Sequence, residues 1–322
     1  MRSVAWLALT LLLASNVANA SLGSGEAKHW LERTAHALHA LDYRGTFVYL
    51  HGTQLHAMRI IHRSDATGEH ERLVSLTGSP REVLRDNNLV TCILPDSRSV
   101  VVERSRSARR NFPVLLPERI DQLERYYHFG MGEEDRVAGR ATQRVTIQPL
   151  DDYRYGHEFW IDTETGLLLK ADLVDEQGRP IEQFMFTDVE VVDEIPDQWL
   201  QPEISGEGFY WYHHKDEINE AMLEDGLRWE VAQLPDGFAL EIYRRKHISA
   251  SRAPVDHLVY SDGLTSVSVF IEPLEEEQPP LAGGSRMGAV NAYSTLFEGY
   301  QITVVGALPE AAVRMIGTSV RR

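Results

Sequence analysis

From Thr46 to Arg104 short strand-like runs follow one another, separated by turn residues, with no helical segment between them. GTFVYLHG leads to QLHAMRIIHR and then to ERLVSL, closed by Gly78-Ser79-Pro80; REVLRD turns at Asn87-Asn88 into LVTCIL, and Pro95-Asp96 leads to SVVVER. Parallel strands need a crossover of about a dozen residues, usually a helix. Connections this short admit an antiparallel meander, and a meander of this many strands curls into a barrel or half-barrel. Ahead of it, Ala27, Trp30, Leu31, Thr34, Ala35, Leu38 and Leu41 recur at i, i+3, i+4 and i+7, which predicts an amphipathic helix.

Ser105–Gly132 interrupts the meander. It carries the basic cluster SRSARR, an exposed apolar loop at Phe112–Leu116, and a predicted helix from near Pro117 with Ile120, Leu123, Tyr126 and Tyr127 on one face. A proline in the first helical turn forfeits no hydrogen bond. Strands resume at RVTIQP and run to VEVVDE. Around Pro196–Tyr212 prolines, glycines and aromatics gather without a clean period, which reads as an interdomain linker that still docks on the fold. A second unit comes after it. LRWEVAQLPDGFALEIYRRK reads as strand, Pro-Asp-Gly turn and strand; HLVYSDGLTSVSVFIEP as a hairpin about Asp262-Gly263 with Val267, Val269 and Ile271 on one face. EPLEEEQPPLAGGSRMGAV reads as a long mobile loop, YSTLF and QITVVG as another hairpin, and PEAAVRMIGTSV as a closing helix. The expected fold is α+β: an N-terminal half-open antiparallel β-barrel wrapping helices, then a smaller antiparallel sheet with a helix. The expected divisions are a leader at 1–20, a first domain at 21–203, a linker at 204–224 and a second domain at 225–322.

Composition bounds the setting. Arg2, the apolar run Val4–Val17 and Ala18-Asn19-Ala20 form a cleavable secretory leader, too short to span a bilayer. Ser21 rather than cysteine after the cut argues against a lipid anchor, so a soluble exported protein is expected. A net charge of −16 repels nucleic acid. The single cysteine, Cys92, permits no intramolecular disulfide and reads as a buried, inert thiol within LVTCIL. Stability must therefore come from apolar cores, and the length suffices for two.

The chain carries no nucleophile elbow, P-loop, dinucleotide fingerprint or H-E-x-x-H, and neither a catalytic residue nor a cofactor is expected. His36 and His39 lie three apart on the first helix without a third ligand, and His51, His56 and His62 lie on neighbouring strands. Structural or solvated roles account for these histidines, with pH sensing left open. The carboxylates of GHEFWIDTETGLLLKADLVDEQG have turn-forming explanations at Asp162, Glu164, Asp175 and Glu176, at opposite ends of a strand where they cannot converge as acid and base. Between them Leu167, Leu169, Ala171 and Leu173 are read on one face, with Leu168, Lys170, Asp172 and Val174 on the other. Arg104, Arg106, Arg109 and Arg110 read either as a solvated loop or as a clamp for phosphate or carboxylate head groups, beside the apolar Phe112 and Leu115.

The text W-I-D-x-x-T-G-L-L-L-K, D-x-x-G, F-x-F-T-D-V-E-V resembles the periplasmic lipoprotein-carrier (LolA-type) half-barrel. Reading outward, YRGTFVYLHGTQLHAMRIIHR, SPREVLRD, TCILPDSRSVVVER, LPDGF, VYSDGLTSVSVFIEP and NAYSTLFEGYQITVVG resemble the RseB/MucB family of sigma-E regulators, from about residue 27 to the end. That resemblance implies a two-domain, non-enzymatic periplasmic protein. It would bind the periplasmic domain of a membrane-spanning anti-sigma factor (RseA/MucA type), shield it from site-1 proteolysis, and be released by lipid or lipopolysaccharide. Self-association to a homo-oligomer stays open. The lipid surface is placed on Trp160, Leu167, Leu169, Phe184 and Phe186, with Phe112, Leu115 and the arginines beside it. Exposed aromatics and arginines are enriched at interfaces, so Phe209, Tyr210, Trp211, Arg244, Arg245 and Arg286 are the partner-binding candidates. The rival reading is a periplasmic lipid or lipoprotein carrier, for which the second domain would be superfluous.

Overall fold

A computed structural model describes residues 23–104, 116, 120–214, 228–247, 254–274 and 280–322. The leader, Arg106, Arg109, Arg110, Phe112, Leu115 and Pro117 lie outside the described residues. Helix α1 (23–40) precedes the first sheet. Its strands are β1 (Tyr43–His51), β2 (Gln54–Asp65), β3 (Gly68–Ser75), β4 (Glu82–Asp86), β5 (Leu89–Leu94), β6 (Ser99–Arg104), β7 (Tyr127–Val137), β8 (Arg140–Pro149), β9 (Gly156–Asp162), β10 (Leu168–Val174), β11 (Pro180–Val191) and β12 (Tyr210–His214). They join in the order β12-β6-β5-β4-β3-β2-β1-β11-β10-β9-β8-β7. All pair antiparallel except β12, which lies parallel to β6. β7 touches β11 across three intervening strands, so the sheet curls, though no hydrogen-bonded pair closes it among the described residues.

Period-two alternation sends Tyr43, Phe47, Ile60, Phe129, Val145, Ile147, Phe159, Phe184 and Phe186 to the inner face. Ala27, Leu31 and Leu38 of α1 fill the hollow with them. Each large apolar side chain buried in this way contributes about 1.5–3 kcal/mol.

The interruption is shorter than its sequence implies. Instead of a helix carrying four apolar residues, a 3₁₀ turn (Ile120–Arg125) buries Ile120 and Leu123, which eclipse at i and i+3 in that geometry. Strand pairing resumes at Tyr127, ahead of RVTIQP. Gly130 and Gly132 belong to β7, where a Cβ would come within 2.7 Å of Thr146 Oγ1 and 2.5 Å of Arg144 Nε. Leu116, read as part of an exposed loop, is buried in the core. Cys92 is half-buried rather than sealed, and burial together with Glu103 pushes its thiol pKa up.

Pro196–Tyr212 docks on the first sheet. It forms helix α2 (Asp197–Leu200) and enters β12, whose Tyr210 N–H donates to Arg98 O at 2.8 Å. In the second unit β13 (Glu230–Val231), the Pro-Asp-Gly turn and β14 (Ala239–His247) follow the expected order, and β13 pairs with β20 (Val320–Arg321). This unit departs from its sequence reading in one place. The glycines of the supposed mobile loop form edge strand β17 (Gly283–Met287), paired with β18 (Val290–Phe297). With β14, β15 (Pro254–Ser261), β16 (Ser266–Pro273) and β19 (Tyr300–Gly306), the order is β14-β15-β16-β19-β18-β17. Helix α3 (Glu310–Thr318) lays Ala312, Val313 and Ile316 on Leu258, Val267, Val269, Ile271, Ile302 and Val304.

The two sheets meet at Arg154, in the β8–β9 loop, which is 1% exposed. Its Nε donates to Asp262 Oδ2 at 2.8 Å, Nη1 pairs with Asp151, and Nη2 donates to the Asp236 carbonyl. The rings of Tyr126, Tyr127 and Phe238 surround the guanidinium at 5.1–5.6 Å. Asp262 also accepts from Tyr127 Oη at 2.8 Å and from the backbone N–H groups of Leu264 and Thr265. Tyr155 and Asn291 join the halves again through a 3.0 Å hydrogen bond. Removing one partner of such a buried pair strands the other charge, at about 3–5 kcal/mol. Asp262→Asn is expected to lower the unfolding free energy by roughly 3 kcal/mol in urea titrations. The double variant Arg154→Met/Asp262→Asn is expected to lose less than the sum of the two single changes.

Candidate functional site

Two carboxylates of the mid-chain acidic stretch, Asp162 and Asp175, hold turns. Asp162, 1% exposed, accepts from the Glu164 N–H (3.0 Å), Thr165 Oγ1 (3.0 Å) and Arg140 Nε (2.5 Å). That turn is docked on α1, where Thr34 Oγ1 donates to Gly166 O at 3.1 Å. Asp175 accepts from the N–H groups of Gln177 and Arg179 at the next turn. Against the opposing effect of burial, the Arg179 side chain, which donates from Nε at 2.9 Å, and these backbone bonds hold its carboxyl below the usual range.

The apolar lipid candidates divide between the faces of the sheet. Phe184 and Phe186 face inward with Phe47, at ring separations of 5.0–6.0 Å. Trp160 does not join them. It stands opposite Lys170 and Arg144, whereas Phe159 stands opposite Ala171 and Val145, and neighbours on a strand point to opposite faces. Lys170 Nζ lies 3.7 Å from the indole centroid, and the indole N–H donates to Asp135 Oδ2 at 3.0 Å. Leu167 and Leu169 are fully buried, but the expected alternation of β10 breaks at a bulge. Leu168 faces Ile161 and Lys170 faces Trp160, two residues advancing against one. Arg104 ends β6 in an exposed position.

The partner candidates occupy three separate edges. Tyr210 and Trp211 lie on β12 at the rim of the first sheet and are 71% and 53% exposed; Phe209, just before them, is half-buried. Arg244 and Arg245 lie on edge strand β14 of the second sheet, and Arg286 on the opposite edge, β17. The fold does not bring these six residues together.

Sequence reading missed a lateral row of polar groups inside the first sheet. Tyr43, His62, Glu71 and Arg85 stand in register on β1 to β4. His62 is fully buried, stacks on Tyr43 at 4.8 Å, and donates from Nδ1 to Leu41 O at 2.8 Å. Burial pushes the Glu71 carboxyl up, opposed by Arg85 at 3.2 Å. The available signal was parity, since His62 and Glu71 occupy core-facing positions of their strands. His51, His56 and His62 do not meet: they stand opposite Gln54, Tyr49 and Tyr43, and His51 pairs with Glu182 at 2.6 Å. Among the described residues no group of three or more His, Cys, Asp or Glu could hold a metal. No described helix is long and apolar enough to cross a membrane.

The profile of the MucB/RseB N-terminal domain matches residues 26–204, and that of the MucB/RseB C-terminal domain matches residues 214–321. The chain belongs to the MucB/RseB family. The sigma factor AlgU regulatory protein MucB of Pseudomonas aeruginosa is 30% identical, covering 97% of this chain and 96% of its own. The sigma-E factor regulatory protein RseB of Haemophilus influenzae is 28% identical, covering 98% and 96%. The structure of the Pseudomonas aeruginosa MucA/MucB complex superposes with a TM-score of 0.71 at 28% identity, covering 92% of this chain and 98% of that one. The family's two-domain layout gives the Arg154 joint its place, between the two matched units.

One titratable group reports on that joint. His157 lies beside Arg154 in the lining of a cleft with Asp151, Glu158 and Asp175. Burial pushes its imidazole down to about 4, outweighing the opposing pull of Asp262. A histidine kept neutral in the fold but protonated near pH 6.5 when exposed stabilises fully above that pH and progressively less as the pH falls toward 4. Urea midpoints at pH 7 and pH 4.5 are expected to show a His157-dependent loss on the order of 2 kcal/mol, which His157→Gln removes.

Proposed function

We propose that this chain restrains an envelope-stress response by binding the periplasmic domain of a membrane-spanning anti-sigma factor of the MucA type and covering its site-1 cleavage site. As a MucB/RseB family member it is a sigma-factor regulatory protein, and no residue is assigned a catalytic role. The observation that carries the reading is correspondence along both domains to relatives named as sigma-factor regulators, together with likeness over nearly the whole chain to MucB solved with MucA. Export by a cleaved leader fits this setting. The second domain argues against a lipid carrier of the half-barrel type, which would need only the first.

Release is a matter of linkage. A lipid or lipopolysaccharide ligand that prefers the uncomplexed form lowers affinity for the anti-sigma factor by its differential binding free energy. Phe184 and Phe186 are the apolar surface such a ligand would reach in the first domain. They are packed and 3% exposed, so binding there requires displacing the groups that cover them. On the partner side the aromatic edge strand β12 is the strongest candidate. Large exposed aromatics supply much of the binding energy at interfaces, and a sheet edge accepts an extended peptide as a further strand.

The protein is expected to slow site-1 proteolysis of the anti-sigma periplasmic domain in a purified assay. Tyr210→Ala/Trp211→Ala is expected to weaken that protection tenfold or more. An unchanged cleavage rate with saturating wild-type protein refutes the regulatory reading, whereas protection that survives the double substitution refutes only the assignment to β12.

A further inference from the structure

The outer face of the first sheet carries a groove that neither the core nor the domain joint uses. A strap of residues 195–203, including α2, crosses it and is fastened at both ends. Arg63 Nη1 donates to Ile195 O (3.2 Å) and Asp197 Oδ1 (2.6 Å), and Arg72 Nη1 donates to Trp199 O (3.1 Å). The Glu203 N–H donates to the Glu82 carboxylate at 3.1 Å. Strap and sheet border an open groove of about 560 Å³ whose lining includes Thr46, Ile61 and Trp199, within the size range of small-molecule sites.

Most charges in the groove are already matched. Arg44 holds Glu190 through Nε (2.9 Å) and Nη2 (2.6 Å) and lies 4.5 Å from the Trp199 ring centroid. Arg72 is shared by Glu82 at 3.2 Å and Glu203 at 2.8 Å. Two lining residues differ. Arg59 and Asp188 are exposed, and their side chains form no hydrogen bond or ion pair among the described residues, although Glu203 and Arg59 sense one another electrostatically. They share a lateral row, Asp188–Thr46–Arg59, one on each side of Thr46. Strand spacing sets their Cα atoms about 10 Å apart, leaving room for a ligand between an unpaired fork and an unpaired carboxylate.

A guanidinium fork suits an oxyacid, and a carboxylate suits an ammonium. A ligand of one sign would meet one of the two groups repulsively, and such repulsion is a source of selectivity. We propose that this groove binds a small zwitterionic group, with its oxyacid anion on Arg59 and its ammonium on Asp188. The fastened strap presents the wall already in place, which limits the ordering cost of binding. Both a soluble zwitterion and a zwitterionic lipid head group have this chemistry. The site is independent of the regulatory reading.

The test titrates the full chain with glycerophosphoethanolamine, followed by calorimetry. Saturable binding is expected, weakened about tenfold by Arg59→Gln and by Asp188→Asn, as loss of one charge-assisted contact implies. Both side chains are exposed, so the melting midpoint is expected to hold. Glycerol phosphate and ethanolamine, each carrying one of the two charges, are expected to bind at least tenfold more weakly. Sedimentation with phosphatidylethanolamine vesicles separates the sources. Capture abolished by R59Q assigns the membrane head group, whereas binding in solution without capture assigns a free zwitterion. Absence of saturable binding at millimolar ligand, equal binding of glycerol phosphate, or binding unchanged in both variants overturns the proposal.

Discussion

A guanidinium cut off from water must be neutralised where it stands, and Arg154 is neutralised by both halves of the chain. Asp151 comes from its own loop, and Asp262 and the Asp236 carbonyl come from the second unit. The geometry therefore fixes more than a contact. Three acceptor directions and three aromatic rings set the angle at which the second sheet meets the first. The Asp262 turn is itself closed by the N–H groups of Leu264 and Thr265, so its carboxylate arrives already oriented. His157 lies in the same region, where burial holds its imidazole pKa down.

That joint gives the surrounding edges a common frame. β12 is hydrogen-bonded to the first sheet just before the chain departs for the second. β14 and β17 border the second sheet on opposite sides. Edge strands carry unpaired backbone groups that soluble proteins usually protect. Here β12 presents large aromatic rings at such an edge, a costly choice for solubility and a favourable one for holding a peptide.

Much of the fold was legible in the residues because burial imposes a period. The meander, the Asp262-Gly263 hairpin and the closing helix all express alternation, turn chemistry and 3.6-residue spacing. The features that stayed hidden depend on distant partners. Nothing local in DDYRYG marks Arg154 as the buried link between sheets. The parallel pairing of β12 with β6 spans more than a hundred residues and leaves no periodic trace in an aromatic-rich linker. The bulge at Leu168–Lys170 adds one residue to one strand and reverses the facing of the residues beyond it, a reversal that simple alternation cannot foresee. Leu116 reads as part of an exposed apolar loop, yet burial is decided by the groups that lie across from a residue in space. For the candidate site, composition proposes arginines and aromatics, while their dispersal over three edges follows only from the strand order.

The place of β1 within the first sheet bears on how the chain is made. One neighbour, β2, comes at once, but the other is β11, which pairs Tyr43 with Val191. A ribosome building this chain from its beginning leaves one flank of β1 bare until more than half of the polypeptide exists. During that interval Phe47 and Tyr43 lack the Phe184 and Phe186 rings that cover them in the finished sheet. Pairings between remote segments form slowly and expose strand edges while they wait, so early synthesis is the period when this chain most needs an escort.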